Sequence, residues 1–226
     1  MEAPGFFDYT IPLLLGAATT LKITVIAELI ALAIGIVVGS ALLARKRIVR
    51  WTCRAYVELF RGTSALIQLF FLFFVLPQFG IALEPFLVAV LGLGLNSGAY
   101  CAEFIRGAVL SVPKGQKEAA MALGLSRFQA FRLVVFPQAL PRALPPLANM
   151  SIDLLKLSSI VSLITIGDLT FVAYQINQTT LDTVSLFSVV LIFYFCIAQL
   201  ISLTFRKAER RFTPPMLFAG ARRNRS

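Results

Sequence analysis

Residues 70–76 read FFLFFVL, seven apolar side chains with no polar position among them. A transmembrane β-strand alternates lipid-facing and lumen-facing residues, so such a run argues against a barrel wall. In hydrocarbon the backbone must satisfy its own hydrogen bonds, which leaves the α-helix. Working outward, the apolar stretch around this run extends over 55–79. Four more stretches match it, at 11–44, 85–110, 140–163 and 183–206. Each is long enough for a bilayer core, which takes roughly 20 apolar residues as helix. Hydrophobic residues make up 58% of the chain, above the about 45–50% typical of soluble domains. The expected fold class is an all-α polytopic membrane protein, with about five spans in a single transmembrane domain over 1–226.

The basic residues are not spread evenly. Arg45, Lys46, Arg47, Arg50 and Arg54 follow the first span, and Lys114, Lys117, Arg127, Arg132 and Arg142 follow the third. Arg206, Lys207, Arg210 and Arg211 follow the fifth, while the chain start, the 80–84 turn and the 164–182 loop carry no Lys or Arg. The positive-inside rule then predicts the N-terminus outside and the C-terminus in the cytoplasm. The net charge of +10 is thereby read as membrane topology rather than nucleic-acid binding. The acidic start MEAPGFFDYT lacks the basic region of a secretory signal, so the first span is expected to be retained. The basic tail ARRNRS is expected near anionic headgroups.

Catalytic chemistry finds little material. The chain contains no histidine, which weighs against histidine general bases, haem ligation and HExxH zinc sites. Cys53, Cys101 and Cys196 have no metal-ligand spacing. There is no GxxxxGK[ST] phosphate loop. No catalytic residue, metal site or cofactor is expected in this chain, and any ATP would be bound by another.

Ionisable and polar residues inside spans are costly and usually functional. Two segments echo each other, Glu58-x-x-Arg61-Gly62 and Glu103-x-x-Arg106-Gly107. They fall at similar depth in the inner leaflet and are expected to form ion pairs at an inner mouth. Asn96, Ser97 and Tyr100 fall near the middle of the third span. Asn149, Asp153 and Lys156 are spaced i, i+4, i+7 on one face of the fourth, and Ser158 and Ser159 continue the polar stretch. This face should point into protein or a water-filled path and line the route of a solute. The competing reading has Asp153 and Lys156 neutralising each other and merely joining helices. In the first span Ala27, Ala31, Gly35 and Gly39 form a small-residue stripe that allows close helix approach.

Between the third and fourth spans, residues 114–137 read KGQKEAAMALGLSRFQAFRLVVFP. The polar stretch suggests a short helix, a turn at Gly124, and a second helix ended by Pro137. Ala119 and Ala120 would keep the first helix narrow enough to approach a cleft on a partner, and Glu118 is placed in its first turn. An ordinary amphipathic interfacial helix is the alternative. Glu118, Ala119, Ala120, three residues, Gly124, nine residues, then Val134-Val135-Phe136-Pro137 resembles the EAA loop of ATP-binding-cassette importer permeases. Val stands for the usual Ile and Phe for the usual Leu. VELFRGTSALIQLFF, LNSGAYCAEFIRGAV, SVPKGQKEAAMALGLS and FPQALPRALPPLANMSIDLL look like the polar amino-acid and opine uptake branch, and together they cover most of 55–170.

The resemblance implies a type I importer permease in a bacterial inner membrane, with 111–137 as the loop that couples it to an ATPase. It also implies two copies of an ATP-binding subunit that carry ATP and Mg, a second permease and an external substrate-binding protein. The cargo would be a polar amino acid or related zwitterion. The family often reads LLKDTSL where this chain has Leu154-Leu155-Lys156-Leu157-Ser158-Ser159-Ile160. Leu157 cannot supply the acidic contact, so Asp153 is expected to stand in one turn earlier. Alternatively a different permease subunit carries the main substrate site, which favours a heterodimer. A channel or secondary transporter uncoupled from an ATPase is the other reading of the midplane polar face.

Overall fold

A computed structural model of the protein describes residues 9–212. The acidic residues of the chain start and the basic tail lie outside them. The described chain is all helix: α1 Thr10–Leu42, α2 Arg47–Gly62, α3 Ala65–Phe70, α4 Pro85–Leu110, α5 Lys114–Ala122, α6 Arg127–Ala130, α7 Phe136–Leu157, α8 Leu169–Thr180 and α9 Thr183–Phe212. Among the described residues, Thr10–Leu42, Pro85–Leu110, Arg127–Ile164 and Thr183–Phe212 are long and apolar enough to cross a membrane. The bent pair Arg47–Gly62 and Ala65–Phe79 makes a fifth if counted as one span.

Helix α4 is the centre of the bundle. Val88, Ala89, Leu93, Ala99, Cys101 and Ala102 are all buried along it, and α1, α2 and α7 pack around it. Lipid tails are as apolar as leucine, so helices associate here through close packing rather than through escape from water. The stripe on α1 does this work: Ala27 and Ala31 are fully buried. A Cβ on Gly35 would lie 2.6 Å from Cys101 Cβ, and one on Gly39 would lie 2.8 Å from the Ala102 carbonyl oxygen. Only glycine permits that crossing.

The structure departs from the sequence reading in three places. Where one span was expected over 55–79, two helices meet at 102°, broken at Thr63–Ser64. The fourth span begins well before residue 140, because α6 runs into α7 through a π-helical turn at Phe131–Val135. Pro137 therefore does not end the second helix of the loop. Proline lacks an N–H and its ring crowds the carbonyl four residues back. Widening the turn, so that the Phe136 N–H reaches the Phe131 carbonyl, accommodates it. Third, the 164–182 loop holds α8. Its N-cap is the fully buried Asp168, whose carboxylate accepts from the Phe171 N–H at 2.9 Å and the Thr170 N–H at 3.2 Å. Thr20 Oγ1 accepts from the Leu169 N–H at 3.0 Å, which docks the start of α8 onto α1. Three otherwise unpaired donors of the first turn are thus satisfied.

Candidate translocation cleft and coupling loop

Beside α4 lies a cleft of about 600 Å³, a size that suits a small solute. Asn96, Ser97 and Tyr100 of α4 form one wall, Asn149 and Asp153 of α7 another, and Thr63 and Ser64 of the α2–α3 corner a third. Five residues singled out on two separate spans therefore share one cavity. Lys156 is not among its lining residues. Its ammonium donates to Asp153 Oδ1 at 3.4 Å, with 66% and 74% of the lysine and aspartate side chains exposed. A pair this open sits at the margin of the cleft rather than locked inside a helix contact.

Ser158 and Ser159 do not reach the cleft. At about 100° per residue Ser158 and Ser159 already fall about 140° and about 120° around the helix from Asp153, and the chain then tightens to a 3-10 turn over Ser158–Ile164. Their hydroxyls donate instead to the carbonyls of Leu155 at 2.7 Å and Lys156 at 2.8 Å.

The corner at Thr63–Ser64 explains much of the polar chemistry at this depth. A helix break frees backbone carbonyls, and at membrane depth each needs a partner. Gln68 Nε2 donates to the Phe60 carbonyl at 2.9 Å and to Thr63 Oγ1 at 2.6 Å. Asn96 Nδ2 donates to the same Phe60 carbonyl at 3.0 Å and to Gln68 Oε1 at 3.1 Å. Tyr56 Oη donates to the Leu95 carbonyl at 2.6 Å, which ties α2 to α4. The buried amide of Asn96 holds the corner as well as facing the cleft.

The two pairs expected at an inner mouth behave differently. Arg106 and Glu103 meet at 2.7 Å, with the guanidinium donating to both carboxylate oxygens. Glu58 and Arg61 form no ion pair with each other; the Arg61 guanidinium lies over the Tyr100 ring instead, 5.2 Å from its centre. Such stacking is a favourable use of a cation at low polarity, and it turns Arg61 toward the mouth of the cleft.

At one end of the bundle α5 and α6 project as the loop between α4 and α7. Gly124 has φ +83°. The Leu125 N–H reaches the Ala120 carbonyl at 3.2 Å and the Gly124 N–H reaches the Met121 carbonyl at 3.0 Å. This is the paired 6→1 and 5→2 helix stop that needs a left-handed residue. Ser126 and Gln129 then form a reciprocal capping box at 3.3 and 2.9 Å, which starts α6. Ala120 is buried against the molecule itself, whereas Ala119 and Glu118 are exposed. Because α5 begins at Lys114, Glu118 lies in its second turn and not its first. Arg142 Nη1 donates to the Ser111 carbonyl at 2.8 Å and clamps the two stems of the loop together.

Comparison with known proteins decides the family. Residues 31–213 match the family model described as "Binding-protein-dependent transport system inner membrane component". The chain belongs to this family. It is a multi-pass inner-membrane permease of an ABC importer. ATP is used by a separate subunit, and such an importer also works with a binding protein. The permease is 41% identical over 212 residues to a "Probable amino-acid ABC transporter permease protein y4tF" of Sinorhizobium fredii, covering 91% of this chain and 89% of that one. It is 39% identical over 204 residues to the "Glutamine transport system permease protein GlnP" of Escherichia coli K12, covering 89% and 93%. A solved structure titled "Crystal structure of an amino acid ABC transporter with histidines" superposes with a TM-score of 0.86 at 34% identity, covering 93% of the permease and 99% of that chain.

Sequence reasoning missed Thr63, Ser64 and Gln68. Their signal was present as polar residues inside a mostly apolar span, with Gly62 just before Thr63. It also passed over Leu123 and Phe128 on the loop between α4 and α7, which are 83% and 71% exposed.

Proposed function

We propose that the permease carries a polar amino acid or related zwitterion through the cleft between α4, α7 and the α2–α3 corner. Glu118, Ala119, Ala120 and Gly124, with Leu123 and Phe128, form the surface that receives the ATPase, and Pro137 sets the angle at which the loop joins α7. The observation that carries this reading is the convergence of Asn96, Ser97, Tyr100, Asn149 and Asp153 on one cavity, in a bundle that presents the EAA pattern at its end. Asp153 receives the cargo's ammonium group, and Asn149, Ser97 and Tyr100 supply neutral hydrogen-bonding partners.

The strong exposure of Asp153 and Lys156 in a single permease supports a second permease closing the path. Charges facing lipid at this depth would be too costly. Leu157, where the motif of the resembled branch often has an acidic residue, supports a partner of different sequence, and hence a heterodimer. The N-terminus lies outside and the C-terminus in the cytoplasm, so that the loop meets the ATPase. The names of the similar proteins support the cargo class: one is a glutamine permease, another the "Nopaline transport system permease protein NocM" of Agrobacterium fabrum.

The test is uptake into proteoliposomes that contain the whole importer, with its binding protein and ATP, across a panel of radiolabelled amino acids, opines and sugars. ATP-dependent uptake of a zwitterion, lost in Asp153→Asn while the complex stays assembled, is the expected result. Uptake that needs only an ion gradient, or that proceeds unchanged in Asp153→Asn, would overturn the reading.

A further inference from the structure

At the end of the bundle that carries the coupling loop, α1 finishes, α2 begins and α4 finishes around a second cavity of about 210 Å³. Its walls are Leu42, Arg50, Trp51, Arg54, Glu103 and Arg106. Arg106 closes on Glu103 at 2.7 Å and cancels its charge. Arg50 and Arg54 therefore leave the lining with two excess positive charges, three arginines less one glutamate. They stand one turn apart on the same face of α2, and both are exposed. The cavity is smaller than the about 300 Å³ at which sites for whole drug-sized ligands begin, and is suited to a compact anionic group.

The neighbouring face of α2 says what that group is attached to. Ile48 and Trp51 are 82% and 70% exposed, next to the arginines on a helix that packs along α4 through Tyr56 and Phe60. Tryptophan with an arginine pair at the end of a membrane bundle is the pattern of the headgroup level. A free anion would have no use for the apolar row, and an acidic protein segment would leave Ile48 and Trp51 bare. An amphiphile with a negative head satisfies both.

We infer that this cavity binds the phosphate group of an anionic phospholipid. The planar forks of Arg50 and Arg54 hold the phosphate oxygens, basic pockets between membrane helices being suited to such headgroups. Ile48 and Trp51 pack against the upper acyl carbons. The bound lipid bridges α2 to the end of α4, one turn from the stem of the coupling loop. The inference depends on the membrane setting and not on the identity of the cargo.

The experiment is native mass spectrometry of the intact importer in mild detergent, titrated with phosphatidylglycerol, phosphatidylcholine of the same chains, or inorganic phosphate. Phosphatidylglycerol should bind about tenfold more tightly than phosphatidylcholine, and Arg50→Gln/Arg54→Gln should remove that preference. The control pair Arg45→Gln/Arg47→Gln, outside the cavity, should keep it. In wild type, a photoactivatable phosphatidylglycerol should cross-link within residues 48–54 and be displaced by the unlabelled lipid. Equal binding of the two lipids, equal loss in the control pair, or cross-links elsewhere would overturn the inference. Inorganic phosphate binding as tightly as the lipid would make the cavity a free-anion site. Loss of the second permease from the double variant would make it a subunit interface. Either result also counts against a lipid site.

Discussion

The stop between α5 and α6 is built from hydrogen bonds that span at most five residues, Ala120 to Leu125 and Ser126 to Gln129. The cleft, by contrast, gathers its walls from Thr63 to Asp153 and exists only once α2, α3, α4 and α7 have packed. The loop is a local device whose geometry a single glycine can decide. The cleft is a tertiary product, and its polar residues divide their work between facing the cavity and holding the helices that enclose it. Damage to the loop should therefore disconnect an intact permease, whereas damage to the cleft should alter a connected one.

The largest effect is expected from Gly124→Val. A β-branched residue at φ +83° is a genuine outlier, so the helix stop should rearrange. Co-purification of the ATPase should fall to background while the permease remains folded by circular dichroism. Next comes Asp153→Asn, which leaves the fold untouched because the side chain is 74% exposed. ATP-driven uptake should drop by about tenfold or more, in keeping with the loss of a charged contact, with the ATPase still bound.

Asn96→Leu probes the shared duty of the cleft. It removes one of the two donors on the Phe60 carbonyl and leaves the Gln68 amide oxygen without its donor. A cost of about 1–3 kcal/mol is expected for the unpaired buried group, read as a lower melting temperature together with reduced uptake. Arg142→Leu, which unclamps Ser111, should lower transport per ATP hydrolysed with little change in stability. Ser159→Ala should do least, within about 0.5 kcal/mol and with normal uptake, since its hydroxyl only bonds back to its own helix. A transport defect there would return Ser159 to the path and blur the distinction drawn between the two regions.

The same contrast governs what could be read from the residues alone. The all-helical class, the α1 small-residue stripe and the turn at Gly124 follow from composition and local spacing, and they were legible. That Asn149 and Asp153 would share a face was legible too, since they sit one turn apart, and Asn96, Ser97 and Tyr100 share a stretch of helix; both sets line one cavity. What was not legible depends on how a helix departs from its ideal repeat. Ser158 and Ser159 continue the polar stretch in sequence, but their hydroxyls turn back onto the Leu155 and Lys156 carbonyls. The π-helical turn at Phe131–Val135 lets a helix run through Pro137. The Thr63–Ser64 break recruits Gln68 and Asn96. Arg61 went to Tyr100 rather than Glu58, because spacing of i,i+3 permits a pair without requiring it.

The most direct measurement of the proposed link between loop and cleft compares wild type, Gly124→Val and Asp153→Asn in the same proteoliposome assay, recording bound ATPase, ATP hydrolysis and cargo uptake together. The expected result is all three in wild type, none in Gly124→Val, and bound, hydrolysing ATPase without uptake in Asp153→Asn. An ATPase that stays bound and coupled in Gly124→Val, or cargo that crosses at the wild-type rate in Asp153→Asn, would contradict it.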